Sequence, residues 1–354
     1  MDSLDCGIFD VSLSAKYILD WKCIKFYTFP FPEDIRIFLE KAQNIKNNDI
    51  PKIDKELGFI LYNYIKNVLI TNRVDLIALH GHTIKHKDGD YSIQVGSPKY
   101  IYKNFKIPLV YNFRKADIES GGNGAPLMPF LDWLIFKNNK HNIITLNLGG
   151  VANISYVPIK GHRKDVLGFD TGPGMGLIDE ACRIYLNKNL DMDGEIANCG
   201  KIDRSLLNQL LSHPYILKTP PKSTGRDIFG SKLIKNIQAK YIDIRIEDLL
   251  RTLCFFTAKT ISRNLKYFIN INKNNDILVI SGGGVKHPVV MNDIHELVKV
   301  NKIELSDKYG ISSKMKECLL MAILGVAKIK NISANMSSVT GSNGEIVLGE
   351  IYKN

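Results

Sequence analysis

Apolar residues run unbroken over short stretches of this chain and recur every three or four positions over longer ones, and the two periods sort it into strands and helices. Residues 8–13 and 18–29 read as paired strands, the second stopped by Pro30 and Pro32, which cannot donate to a ladder. Residues 1–7 are small and polar and read as the middle of a turn. Amphipathic helices are expected over 33–47 and 53–71. A strand over 74–79 then delivers His80 to a glycine turn, 98–105 reads as a short helix, and 109–113 as a strand ending beside Arg114. In the second half, the apolar runs on either side of Gly149-Gly150 read as a hairpin. Residues 165–169 form a strand that stops at Asp170 and turns through Gly172 and Gly174 into a helix. A long core helix covers 246–268, and strand 277–281 runs into Gly282-Gly283-Gly284 before a helix at Pro288, a residue suited to a first helical turn. Another helix over 314–330 brings in Glu317, and 346–351 is a last strand.

Composition narrows the class. The 354 residues suffice for two domains, and 45% hydrophobic with 23% charged is ordinary for a soluble globular protein. No apolar run reaches the length of a membrane span, and the acidic start (Asp2, Asp5) is not a signal peptide, so no membrane partner is expected and the cytoplasm is the default compartment. Cys6, Cys23, Cys182, Cys199, Cys254 and Cys318 lie far apart without metal-ligand spacing, which reads as reduced thiols, mostly in the core. The net charge of +11 is scattered with no basic block interleaved with aromatics, so nucleic acid is not an expected partner.

The chemistry concentrates at strand ends. Asp170, followed by glycines and a helix start, stands where α/β sheets bind ligands, with helix-start N–H groups nearby to attract anions. It suits a general base, and it equally suits a residue that only caps its turn. His80 arrives by the same logic. Gly149-Gly150, flanked by Asn147 and Asn153, offers backbone N–H groups, and Gly282 to Gly284 let a flat ring or phosphate approach the main chain. The glycine-rich segment 121–126 reads as a binding loop or a hinge at a domain boundary. The loop around Lys222 and Arg226 reads as an anion grip, or as an exposed loop with two chance cations.

These motifs together resemble the anhydro-N-acetylmuramic acid kinase family over almost the full length. The resemblance rests on Ser3-Leu4-Asp5, His80-Gly81-His82-Thr83, Phe113-Arg114 with Asp117, residues 121–127, 147–154, 168–174, 221–226 and 281–284, Glu317, and 338–341. It implies an α/β, two-domain actin-like ATPase fold, a duplicated ribonuclease H-like unit with a nucleotide cleft between domains. The expected division is 1–130 plus 331–354 for one domain and 131–330 for the other. It also implies that ATP and Mg2+ are used to open the 1,6-anhydro ring of anhydro-N-acetylmuramic acid and phosphorylate O6, in cell-wall recycling. On that resemblance Asp170 is the general base, and His80, Arg114 and Glu317 fall in the sugar pocket. Ser3, Leu4, Asp5, Asn147, Gly149, Gly150, Asn153, Gly172, Gly174, Gly282, Gly283 and Gly284 then line the nucleotide, with Asp5 toward the metal. A homodimer stands as a possible assembly.

The chain departs from the family pattern at several points. His82 stands where Gln is usual, Asn112 where Asp is usual, Asn123 where Gln is usual, and Leu320 and Met321 replace smaller or aromatic residues. The pattern also carries a strand and a Gly-Thr before Ser-Leu-Asp, so the reading expects the natural protein to begin upstream. The alternatives are an ATP-binding protein of this fold without turnover, and a kinase of another sugar.

Overall fold

The first apolar runs close on each other as an antiparallel hairpin, β1 (Ser3–Leu13) on β2 (Leu19–Pro30), with Ser3 opposite Pro30 and Leu13 opposite Leu19. The structure, a computed structural model, describes residues 3–42 and 45–353. It divides into two units, Met1–Ile135 with Lys314–Asn354, and Phe136–Ser313. Met1 and Asp2 of the expected first turn lie outside the described residues. Ser3 to Gly7 are strand rather than turn, because each pairs across the hairpin.

In the first unit the hairpin leads to α1 (Glu33–Ala42) and α2 (Ile50–Thr71), and then to β3 (Ile77–Ala78). Leu57, Leu61, Ile65 and Val68 recur every three or four residues along α2 and are its buried face. Next come the hairpin β4 (His82–Lys87) and β5 (Tyr91–Val95), α3 (Lys99–Phe105), β6 (Leu109–Tyr111), α4 (Lys115–Glu119) and α5 (Met128–Phe136). The glycine loop after α4 is no boundary. The buried Asp117 carboxylate accepts the Gly124 N–H at 2.8 Å and the Thr340 hydroxyl at 2.8 Å, tying the loop inside this unit.

The second unit is built on β7 (Asn142–Leu148), β8 (Val151–Val157) and β9 (Leu167–Pro173). It continues through α6 (Gly176–Leu186), α7 (Glu195–Asn198), α8 (Arg204–Leu211), α9 (Ser231–Lys240) and α10 (Ile246–Asn264). β10 (Asp276–Ser281), α11 (Pro288–Leu297) and β11 (Lys302–Leu305) complete it. The strands lie in the order β11-β10-β7-β8-β9; β7, β8 and β9 form an antiparallel meander, and β10 and β11 run parallel to β7. Every residue of β10 is buried, as a parallel central strand covered on both faces requires. Leu250, Leu253, Cys254, Thr257, Ala258 and Ile261 of α10 face this sheet's core at helical spacing.

The chain then returns to the first unit with α12 (Met315–Ile329), α13 (Ser337–Thr340) and β12 (Glu350–Ile351). β3 is parallel to β6, and β12 is antiparallel to it. Among the described residues this sheet and the β1–β2 hairpin are separate ladders, and α12 packs against strands of both. That packing is why α12 falls in the first unit rather than with the strands preceding it in sequence. Of the cysteines, all free, only Cys182 and Cys254 are buried; Cys199 is exposed, so the thiols are not mostly core.

Candidate active site

β8 and β9 do not pair evenly. Asn153 faces Asp170 while Ala152 faces Gly172, so Thr171 is an extra residue and β9 carries a bulge immediately after the acid. A bulge bends its strand and re-aims side chains, and such irregularities gather beside functional sites. The strand continues to Pro173, so Asp170 lies within the ladder and not at a strand end in a turn, as the glycines suggested.

Register sets the company Asp170 keeps. Asn153 pairs with Asn147, and Asn147 with Ser281, so Asp170, Asn153, Asn147 and Ser281 form one row across four neighbouring strands. At about 4.8 Å per strand the row spans about 14 Å. The Gly149-Gly150 turn and the Gly282–Gly284 turn both begin within two residues of it.

Hydrogen bonds from outside the sheet also hold Asp170. Its N–H donates to the Lys222 carbonyl at 3.3 Å, its carbonyl accepts the Tyr215 hydroxyl at 2.9 Å, and its Oδ2 accepts the Thr224 N–H at 2.9 Å. The residues around 222 therefore serve the acid, and Lys222, 2% exposed, is not available as an anion grip. Nothing in the sequence pattern singles out Tyr215, while Thr224 closes the Pro-Pro-Lys-Ser-Thr run within the 221–226 block.

The turn that leads into α6 is also committed. The N–H groups of Gly174 and Gly176 donate to the Gly150 carbonyl at 3.0 Å each, and that of Met175 to Gly149 at 2.7 Å. These three N–H groups, on the way into α6, are thus not open to an anion. Gly174 is required by this approach, since a Cβ there would sit 2.2 Å from the Gly149 oxygen. Gly282 combines φ of +97° with a Cβ position 2.6 Å from the Leu148 oxygen, so only glycine fits. By contrast, a Cβ at Gly150 or Gly283 would meet nothing within 4 Å, and these two residues present open backbone.

Asp179, on the first turn of α6, has its carboxyl pushed up to about 6 by burial, with Arg183, Arg226 and His287 opposing the rise and Glu180 adding to it. The folded protein therefore carries a penalty for ionising Asp179 that is present above pH 6 and absent below about pH 4, where both folded and unfolded forms are protonated. Asp179→Asn is expected to raise stability by about 1–2 kcal/mol at pH 7.5 and to leave it unchanged at pH 4, read by thermal or urea unfolding.

The first unit gathers His80, Arg114 and Glu317. His80 follows β3 by two residues, Arg114 precedes α4, and Glu317 lies on the first turn of α12. Burial, reinforced by the nearby Arg114 charge and by His82, drives the His80 imidazole down to about 3, so it acts as a neutral hydrogen-bonding ring. Burial lowers Arg114 while Glu317 opposes the shift, and burial raises Glu317 while Arg114 pulls it back and Asp5 adds to the rise. Glu317 is open to solvent despite that desolvation, the signature of a recess rather than a core. His80 Nδ1, His82 Nε2 and Arg114 Nε are buried atoms without a hydrogen-bond partner. Buried polar atoms ordinarily find partners, so these three in one neighbourhood fit a polar ligand. Asp5, half-buried on β1, accepts the Thr28 hydroxyl at 2.8 Å. Asn112, at φ of +56°, donates to Glu350 at 3.0 Å, a conformation that Asn tolerates.

Both units open with an antiparallel hairpin and continue into parallel strands connected through helices, and in the second unit the order is that of a ribonuclease H-like sheet. This is the two-domain α/β class of the actin-like ATPases and sugar kinases. The sequence model of the family described as anhydro-N-acetylmuramic acid kinase matches residues 1–354, and the chain belongs to that family. It is 34% identical to an anhydro-N-acetylmuramic acid kinase of Clostridioides difficile (strain 630), over 99% of this chain and 95% of that one. It is 33% identical to one of Francisella tularensis subsp. novicida (strain U112), over 94% and 91%. Among solved structures, a ROK family glucokinase from Streptomyces griseus in complex with glucose and AMPPNP matches with TM-score 0.40 and 9% identity, over 91% of this chain and 99% of that one. An activator of the 2-hydroxyisocaproyl-CoA dehydratase from Clostridium difficile with bound ADPNP gives 0.38 and 14%, over 70% and 90%. Among the described residues no helix is long and apolar enough to cross a membrane.

Proposed function

We propose that this kinase opens the 1,6-anhydro ring of anhydro-N-acetylmuramic acid and transfers a phosphoryl group from ATP to O6, giving N-acetylmuramic acid 6-phosphate and ADP in the cytoplasm. The observation that supports this most directly is the row from Asp170 to Ser281, which puts one carboxylate in line with the residues that lead into two glycine turns, in a chain of this family. Asp170 takes a proton from water as the water oxygen bonds to the anomeric carbon. The C1–O6 bond breaks, O6 bonds to the γ-phosphorus, ADP leaves, and the proton passes from Asp170 to solvent. One carboxylate is enough, because O6 departs into a P–O bond instead of needing an acid; an inverting glycosidase needs a second carboxyl group.

The open backbone at Gly150 and Gly283 is assigned to the nucleotide, and His80, Arg114 and Glu317 to the sugar. Magnesium would enter with the triphosphate and neutralise phosphate charge. Among the described residues no group of three His, Cys, Asp or Glu could hold an ion, and Asp5 offers a single carboxylate, a donor set that fits a metal carried largely by phosphate and water oxygens. A coupled assay for ADP tests the reading. Release is expected with anhydro-N-acetylmuramic acid and not with glucose or N-acetylglucosamine; turnover on either of those and none on the anhydro sugar would overturn it.

A further inference from the structure

Lys222 belongs to a loop with no repeating pattern, yet it is 2% exposed. Its ammonium donates to Asn264 Oδ1 at 2.7 Å, to the Ile216 carbonyl at 3.1 Å and to the Tyr215 carbonyl at 3.4 Å, which accounts for all three protons. The rings of Phe268, Tyr215 and Phe169 surround it, with centroids at 4.9, 5.0 and 5.5 Å. Asn264, at the end of α10, donates in turn to the Thr171 carbonyl at 3.1 Å, and Thr171 is the bulged residue next to the acid. The ammonium therefore pins the loop from below while the loop's backbone brackets Asp170, the Lys222 carbonyl on its N–H and the Thr224 N–H on its carboxylate.

A buried ammonium costs several kcal/mol of desolvation, and an apolar side chain of the same length would fill this site at lower cost. Burial is the largest influence on it and, with the like charge of Lys218, outweighs the pull of Asp170 towards the protonated form; its pKa comes down to about 8, so the cation persists at neutral pH. The attraction is mutual, and the same charge favours an ionised Asp170.

We propose that Lys222 is a positioning residue for the catalytic carboxylate: it pegs the loop that aims Asp170, and its charge favours the ionised form that accepts the proton from water. This rests on the reading of Asp170 as the base. Its effect is separable from packing, because charge and fit can be varied independently.

The test compares Lys222→Met, Lys222→Gln, Lys222→Arg and Asp170→Asn by sugar-dependent ADP release across pH, alongside thermal unfolding and ATP binding by calorimetry. Lys222→Gln keeps a donor for the Ile216 and Asn264 oxygens without the charge and covers the case in which Lys222→Met does not fold. Expected are a fall in kcat of about ten- to a hundredfold for the neutral variants, ATP affinity within about threefold, and an acid limb of the kcat profile displaced upward by about half a pH unit or more. Lys222→Arg returns the limb to its parent position. An unshifted limb, with kcat either unchanged or falling only in step with the folded fraction, would overturn the proposal while Asp170→Asn remains inactive. An active Asp170→Asn would overturn the base assignment itself.

Discussion

Asp170→Asn is expected to lower sugar-dependent ADP release by about a thousandfold or more while leaving ATP affinity within about threefold of the parent. The amide has the shape of the carboxyl, so an oxygen can still accept the Thr224 N–H, and the main-chain bonds to Lys222 and Tyr215 persist. What disappears is the capacity to take a proton from water. The open backbone assigned to the nucleotide, at Gly150 and Gly283, is untouched by the change. Turnover by stopped assay and binding by calorimetry separate the two effects. Parallel loss of both would mean that Asp170 only shapes β9 and its bulge.

Arg114→Met is expected to raise the KM for the anhydro sugar by about ten- to a hundredfold, with the KM for ATP changed less than about threefold. A hydrogen bond from a charged donor is worth about 1.5–3 kcal/mol when its partner is present. Arg114 Nε is buried with no partner, so the sugar's hydroxyl or carboxylate oxygens are the groups it would meet. Glu317, open to solvent, can be hydrated when the nearby cation is gone, so its loss is not expected to unfold the chain. Steady-state kinetics in each substrate decides; a rise in the KM for ATP alone would remove Arg114 from the sugar site.

Much of the second unit could be read from its residues, because hairpins and buried strands leave local marks. The apolar runs flanking Gly149-Gly150 became β7 and β8, and the run before Gly282 became β10. The bulge at Thr171 left no mark, since two residues facing one is a property of a pair of strands and not of either sequence. Lys222 was misread for a related reason. A lysine between prolines and polar residues has the composition of a solvated loop, and three aromatic rings from separate elements make it buried. The commitment of the Gly174, Met175 and Gly176 N–H groups to the glycine hairpin was likewise a matter of tertiary approach. Glu317 and Arg114 come from the two separate segments of the first unit, and only the packing of α12 on its strands brings them near each other.

In the proposed reaction, water primed by Asp170 opens the acetal in the same event that phosphorylates its oxygen. Turnover in 18O-labelled water, with the early product examined by mass spectrometry, tests this most directly. One labelled oxygen per product is expected, at the anomeric carbon, with none in the phosphoryl group. Label appearing in phosphate released from ATP, or a phosphorylated product with its anhydro bridge intact, would contradict it.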